Sequence, residues 1–150
     1  MPSATKQMPL TSMTPHVPQW NLGTQRLHQM NRNMNIVAFG DSITLADREI
    51  PENKWVNLVE KTINATLASI SVRVINSGVG GNTSREAVRR LEVDVVEHRP
   101  AIVLVQFGGN DTTPDPTREV STSEFTSNLG TMYARTQEID ARMILLTFPP

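Results

Sequence analysis

The sequence predicts an α/β fold: a parallel sheet with helices on both faces, in three layers. Three observations predict it. Short apolar, β-branched runs alternate with stretches of helical periodicity from Met34 onward. The most apolar run, Ala101-Ile102-Val103-Leu104-Val105, is short and reads as a central parallel strand buried on both faces. Six of the eight glycines (40, 78, 80, 81, 108 and 109) fall just after three of these runs. In a sheet of βαβ units those loops share one edge, the carboxyl edge where ligands bind.

Asn35-Ile36-Val37-Ala38-Phe39 is the first expected strand, and Gly40-Asp41-Ser42-Ile43-Thr44 follows it as a glycine-assisted turn. Trp55, Leu58, Val59, Thr62, Ile63 and Leu67 recur at helical spacing, with Pro51 suited to the helix start. Val72–Ile75 is the second strand. It leads into the glycine loop from Asn76 to Thr83. Thr83-Ser84-Arg85-Glu86 has capping-box form, and Val88, Leu91 and Val95 carry an apolar stripe toward Pro100. After the third strand come Phe107-Gly108-Gly109-Asn110-Asp111 and a polar loop with Pro114 and Pro116. Ser121-Thr122-Ser123-Glu124 opens a helix bearing Phe125, Leu129, Met132 and Tyr133, and Met143–Thr147 is the fourth strand.

Composition narrows the function classes. A chain of 150 residues fits one domain with one ordinary core. A net charge of −1 gives no pull toward nucleic acid or an anionic membrane. The absence of cysteine excludes disulfides and thiolate metal sites. No apolar run approaches the roughly 18 residues of a membrane span, and no secretory h-region is visible. The cytoplasm is the expected location by default. Residues 1–33 hold four of the ten prolines, no Asp or Glu, and a charge of +3 from Lys6, Arg26 and Arg32, leaving −4 for the rest. They are expected to be a disordered extension of a domain over 34–150. A transit peptide is also basic and acid-poor, but four prolines suit an amphipathic helix badly.

Ser42 is the candidate nucleophile. A serine after a strand is more often a turn former or cap. What raises Ser42 above that reading is the pair of loops on the same edge, which offer a glycine N–H and the Asn110 amide as donors to a developing oxyanion. Glycines before a helix can instead cradle a phosphate. A non-catalytic phosphate- or nucleotide-binding module is therefore the alternative, weakened because no Lys or Arg lies in these loops; Arg85 is the nearest in sequence.

Gly40-Asp41-Ser42-Ile43-Thr44, Asn76 through Ser84, and Phe107-Gly108-Gly109-Asn110-Asp111 resemble, in order and spacing, the first three blocks of the SGNH (GDSL-type) hydrolases. The resemblance covers about residues 34–150. It implies a flavodoxin-like α/β/α fold, hydrolysis of a small-molecule ester, and no metal or cofactor. It also implies Ser42 as nucleophile and an oxyanion hole from the N–H groups of Ser42 and Gly81 and the Asn110 amide. Gly40, Asp41, Gly80, Gly109 and Asp111 are then supporting residues, Asp41 shaping the serine turn. Gly81 is favoured over Gly80 because it lies five residues after Asn76.

The family's fourth block, an Asp-x-x-His supplying base and carboxylate, does not occur in the sequence, whose histidines are His16, His28 and His98. Asp94 and His98 are one residue too far apart for that block and read as a surface i,i+4 pair. Their helix runs back from the site, so His98 is expected about 20 Å away. The expectation is thus the N-terminal part of a longer hydrolase, lacking its last strand and helix and nearly inactive alone; a natural pseudo-enzyme is the other possibility. The fourth strand is expected to be an exposed edge that promotes association.

Overall fold

The computed structural model describes residues 33–67, 69–116 and 118–147. The chain divides into two units, Met1–Asn31 and Arg32–Pro150, and the second holds every element below. The extension expected over 1–33 lies outside the described residues except for Asn33, which begins the first strand.

Strand β1 (Asn33–Gly40) is followed by the single turn α1 (Ser42–Leu45) and helix α2 (Trp55–Thr66). Strand β2 (Ser71–Gly78) leads to helix α3 (Ser84–Asp94), β3 (Ile102–Gln106), the long helix α4 (Thr122–Glu138) and β4 (Arg142–Leu145). All pairs are parallel, in the order β2-β1-β3-β4. The fold is the three-layer α/β/α arrangement that the alternation of strand and helix patterns predicts.

Alternation along β1 explains the layers. Val37 and Phe39 face one side with Val103 and Val105, packed on Ala87, Leu91 and Val95 of α3 and its end and on Met132 of α4. Ile36 and Ala38 face the other side with Val72 and Val74, covered by Val56, Trp55, Val59 and Ile63 of α2. A central strand buried on both faces must be apolar throughout, as Ile36–Phe39 is.

Several local expectations are corrected. Pro51 opens a separate 3-10 turn, Pro51–Asn53, and α2 begins at Trp55. Leu58 and Leu67 keep helical spacing but are exposed, as is Tyr133 on α4. The predicted pairing of Asp94 with His98 does not form. Asp94 bonds Arg90 one turn back at 2.6 Å, because α3 ends at Asp94 and a 3-10 turn carries Val96–His98 away from the α-helical i,i+4 position. The fourth strand is Arg142–Leu145, at the end of the four-stranded sheet, with Ile144 and Leu145 exposed.

Candidate active site

The three glycine loops lie together at the carboxyl ends of β1, β2 and β3. Gly40 must be glycine for steric reasons: a Cβ there would lie 2.0 Å from Thr44 Oγ1 and 2.9 Å from the Gln106 carbonyl oxygen. The chain can therefore turn sharply against β3 and lift the next residues off the sheet. Asp41 is 2% exposed and caps the turn, its Oδ1 accepting from Ile43 N at 2.9 Å. Ser42, directly after it, is exposed, and among the described residues its hydroxyl makes no side-chain hydrogen bond. Thr44 is buried and its hydroxyl donates to Gln106 Oε1 at 3.2 Å, which ties the far side of the turn to β3.

The second loop is fastened to the first. Val79 N donates to the Gly40 carbonyl at 3.1 Å, and Asn76 Nδ2 donates to the Thr44 carbonyl at 2.9 Å. Gly81 has φ +76°, a left-handed conformation that costs an L-residue about 1–2 kcal/mol. Gly80 differs: a Cβ there would meet only the Leu45 side chain, at 3.8 Å. Of the two adjacent glycines, backbone conformation thus demands the one at 81. The loop then enters α3 through the expected capping box, with Thr83 N donating to Glu86 Oε2 at 2.8 Å. Hydrogen bonds from Thr83 hold the Glu86 carboxyl below the ordinary glutamate range, against the opposing effect of burial.

The third loop closes the group. Asn110 Nδ2 donates to the Asn82 carbonyl at 3.0 Å and to Asp41 Oδ2 at 3.3 Å, so one amide bridges all three loops. Asp111 is buried, and both carboxylate oxygens accept from Ser84 N, at 3.0 and 3.2 Å, binding the third loop to the start of α3. Gly109 is exposed on the rim of an apolar groove of about 500 Å³, whose walls include Phe107, Phe125, Leu129 and Leu145. Of the polar loop after Asp111, only Thr112 lines this groove among the described residues; β3, the third loop, α4, and β4 with the two residues after it supply the rest.

Two arginines that sequence reading did not place belong here. Arg118, which sequence proximity gave no reason to expect, donates to the Gly81 carbonyl, whereas Arg85 is held by Glu124 at 2.6 and 2.9 Å and by the Glu119 carbonyl. That pairing raises the Arg85 pKa and lowers that of Glu124, in each case chiefly through their shared hydrogen bond. Arg90 lies beneath the loops and touches Gly40, Ser77, Asn82 and Asp94. Nothing in the periodicity of α3 marks it.

His98, the only histidine among the described residues, is at the other end of the sheet. Its carbonyl accepts from Asn35 Nδ2 at 2.8 Å near the start of β1, while Ser42 follows the end of that strand. Five strand residues separate the two ends, about 16 Å. No group of three or more His, Cys, Asp or Glu suited to a metal ion occurs among the described residues.

Known proteins share both sequence and architecture with this chain. Esterase TesA of Pseudomonas aeruginosa is 28% identical, over 80% of this chain and 57% of its own length. The acetylxylan esterase of Geobacillus stearothermophilus is 28% identical, over 75% and 58%. An uncharacterized lipoprotein of Bacillus subtilis, YqeF, is 29% identical, over 77% and 49%. Among solved structures, a crystal structure of TesA superposes with a TM-score of 0.67 at 28% identity, covering 78% of this chain and 63% of that one. A catalytic histidine-to-alanine mutant of the Geobacillus acetylxylan esterase gives 0.65 at 26%, covering 75% and 58%. The chain thus spans about half to three-fifths of the length of the curated relatives it matches. Residues 38–150 match the profile of one family, from within β1 through β4. The chain belongs to the GDSL-like Lipase/Acylhydrolase family.

Proposed function

We propose that this chain carries the nucleophile and oxyanion hole of a serine hydrolase acting on carboxylic esters. One observation carries the reading: the Asn110 amide bonds to Asp41 beside the exposed Ser42 and to Asn82 beside Gly81. In this reading Ser42 Oγ attacks the ester carbonyl, and the oxyanion is met by the N–H groups of Ser42 and Gly81 and by Asn110 Nδ2. The 3.3 Å bond from Asn110 to Asp41 is the longer of its two and is the one an oxyanion would replace. Water then releases the acyl group.

Ser42 also needs a proton acceptor. His98 is on the wrong edge, so the base is an imidazole from outside the three loops, of the Asp-x-x-His kind that the family resemblance implies. A version of the chain extended through such an element is expected to hydrolyse p-nitrophenyl acetate and to lose that activity on Ser42→Ala. Without the base, kcat falls on the order of 10⁶-fold, so residues 1–150 alone are expected to be nearly inactive. Robust Ser42-dependent turnover by the 150-residue chain would contradict the assignment of the base. Tight nucleotide binding with no Ser42-dependent hydrolysis in the extended version would replace the hydrolase reading with the phosphate cradle. No helix among the described residues is long and apolar enough to cross a membrane. We carry the cytoplasm as the proposed location, to be tested by fractionation because one relative is named a lipoprotein.

A further inference from the structure

We propose that Arg90 is the positioning residue that sets the three site loops in register, an inference that rests on the hydrolase reading above. Its side chain is only 16% exposed although it stands on the polar side of α3. Nε donates to Asn82 Oδ1 at 2.8 Å, Nη1 to the Ser77 carbonyl at 2.8 Å, and Nη2 to the Gly40 carbonyl at 2.9 Å. Nη1 also pairs with Asp94 at 2.6 Å, which balances the charge. The guanidinium carbon lies 4.5 Å from the Phe39 ring centroid and 5.9 Å from that of Phe107, and the two rings meet edge to face at 5.2 Å.

Apart from Asp94, these contacts reach all three loops. Gly40 precedes the Asp41-Ser42 turn. Ser77 and Asn82 bracket Gly81. Phe107 opens the third loop, and the Asn82 carbonyl in turn accepts from Asn110 at 3.0 Å. The planar guanidinium reaches two strand-end carbonyls and one side-chain amide at once, while its face lies on the aromatic pair. An ammonium, a compact charge without that fork or flat face, cannot make this set of contacts. Arg90 touches none of the candidate reacting atoms; it acts through Asn82 and Asn110 on one side and Gly40 on the other. A loop displaced by about 1 Å costs on the order of 100-fold in rate.

The test uses the extended, Asp-x-x-His-bearing version for kinetics and the 150-residue chain for amide exchange. Arg90→Lys is expected to lower kcat by about 100-fold while KM moves by less than about threefold, measured well below its melting temperature. Glu92→Gln, which breaks the ion pair of α3 with Arg135 but touches no loop, serves as the control for lost helix stability and is expected to keep kcat. In Arg90→Ala, added ethylguanidinium is expected to restore turnover in a saturable way. Arg90→Lys with parental kcat, or a loss matched by Glu92→Gln, would overturn the proposal. If the parent itself shows no Ser42-dependent hydrolysis, the hydrolase reading fails and exchange alone judges Arg90. Faster exchange in Arg90→Lys at the Val79, Asn82 and Thr113 amides together, with β3 amides unchanged, supports the role. Loosening confined to α3, or no change, refutes it.

Discussion

Asp41→Ala isolates the turn that presents Ser42. The carboxylate is buried and makes two bonds, one to Ile43 N at 2.9 Å and one to Asn110 Nδ2 at 3.3 Å. The first is an N-cap bond, whose loss costs about 1 kcal/mol. The second is long but accepts onto a carboxylate, and losing it costs about 0.5–1 kcal/mol, since half-buried Asn110 keeps its bond to Asn82. The sum, about 2 kcal/mol, lowers the melting temperature by roughly 8 °C for a unit of this size. Asp41→Asn discriminates further. Whichever way the new amide is turned, its NH₂ faces a donor, either Ile43 N–H or the Asn110 amide. It too is expected to destabilise, by about 1–2 kcal/mol, despite equal size. Urea and thermal unfolding followed by circular dichroism measure both variants. An Asp41→Ala protein melting within about 2 °C of the parent would refute the claim that this carboxylate organises the turn.

Asn110→Ala in the extended version is expected to lower kcat by about 10²–10³-fold and, with both amide bonds lost, to cost about 1–2 kcal/mol of stability, read by ester turnover well below the melting temperature beside a thermal melt. The Glu86 carboxyl has its pKa depressed by hydrogen bonds from Thr83, so its stabilisation is present above the ordinary glutamate value of about 4.3 and is lost as pH falls through the lower folded value. An acid titration should therefore find Glu86→Gln losing less stability than the parent below about pH 4. With Ile144 40% and Leu145 54% exposed on the edge strand, residues 1–150 are expected to self-associate, and sedimentation velocity showing a single monomer would count against that.

Layer order, strand count and the convergence of the glycine loops were legible because they depend on local periodicity and on where glycine is sterically required. Gly40 and Asp41 were legible for the same reason: a Cβ at 40 would strike Thr44, and the Asp41 carboxylate caps the turn. Ser42 and Asn110 were singled out by the resemblance and by their place on the glycine-loop edge, and their roles belong to the proposed function. Arg90 was not legible. On α3 it stands next to Arg89 on a polar stripe, and an arginine there reads as solvated surface. What buries it is the meeting of Phe39 and Phe107, 68 residues apart, under loops that leave two strand-end carbonyls for it. Arg118 escaped for a related reason, since its reach to Gly81 crosses 37 residues of chain. Helix edges also misled: Pro51 favours a first turn equally well in a 3-10 segment, and Tyr133 keeps the apolar spacing of α4 while pointing to solvent.

The most direct test of the central claim is intact-mass and peptide mass spectrometry after reaction with a fluorophosphonate probe. The extended version is expected to gain one phosphonyl adduct, located on Ser42, and Ser42→Ala is expected to gain none. An unmodified Ser42 in a folded extended protein, or an adduct that persists in Ser42→Ala, would contradict the account.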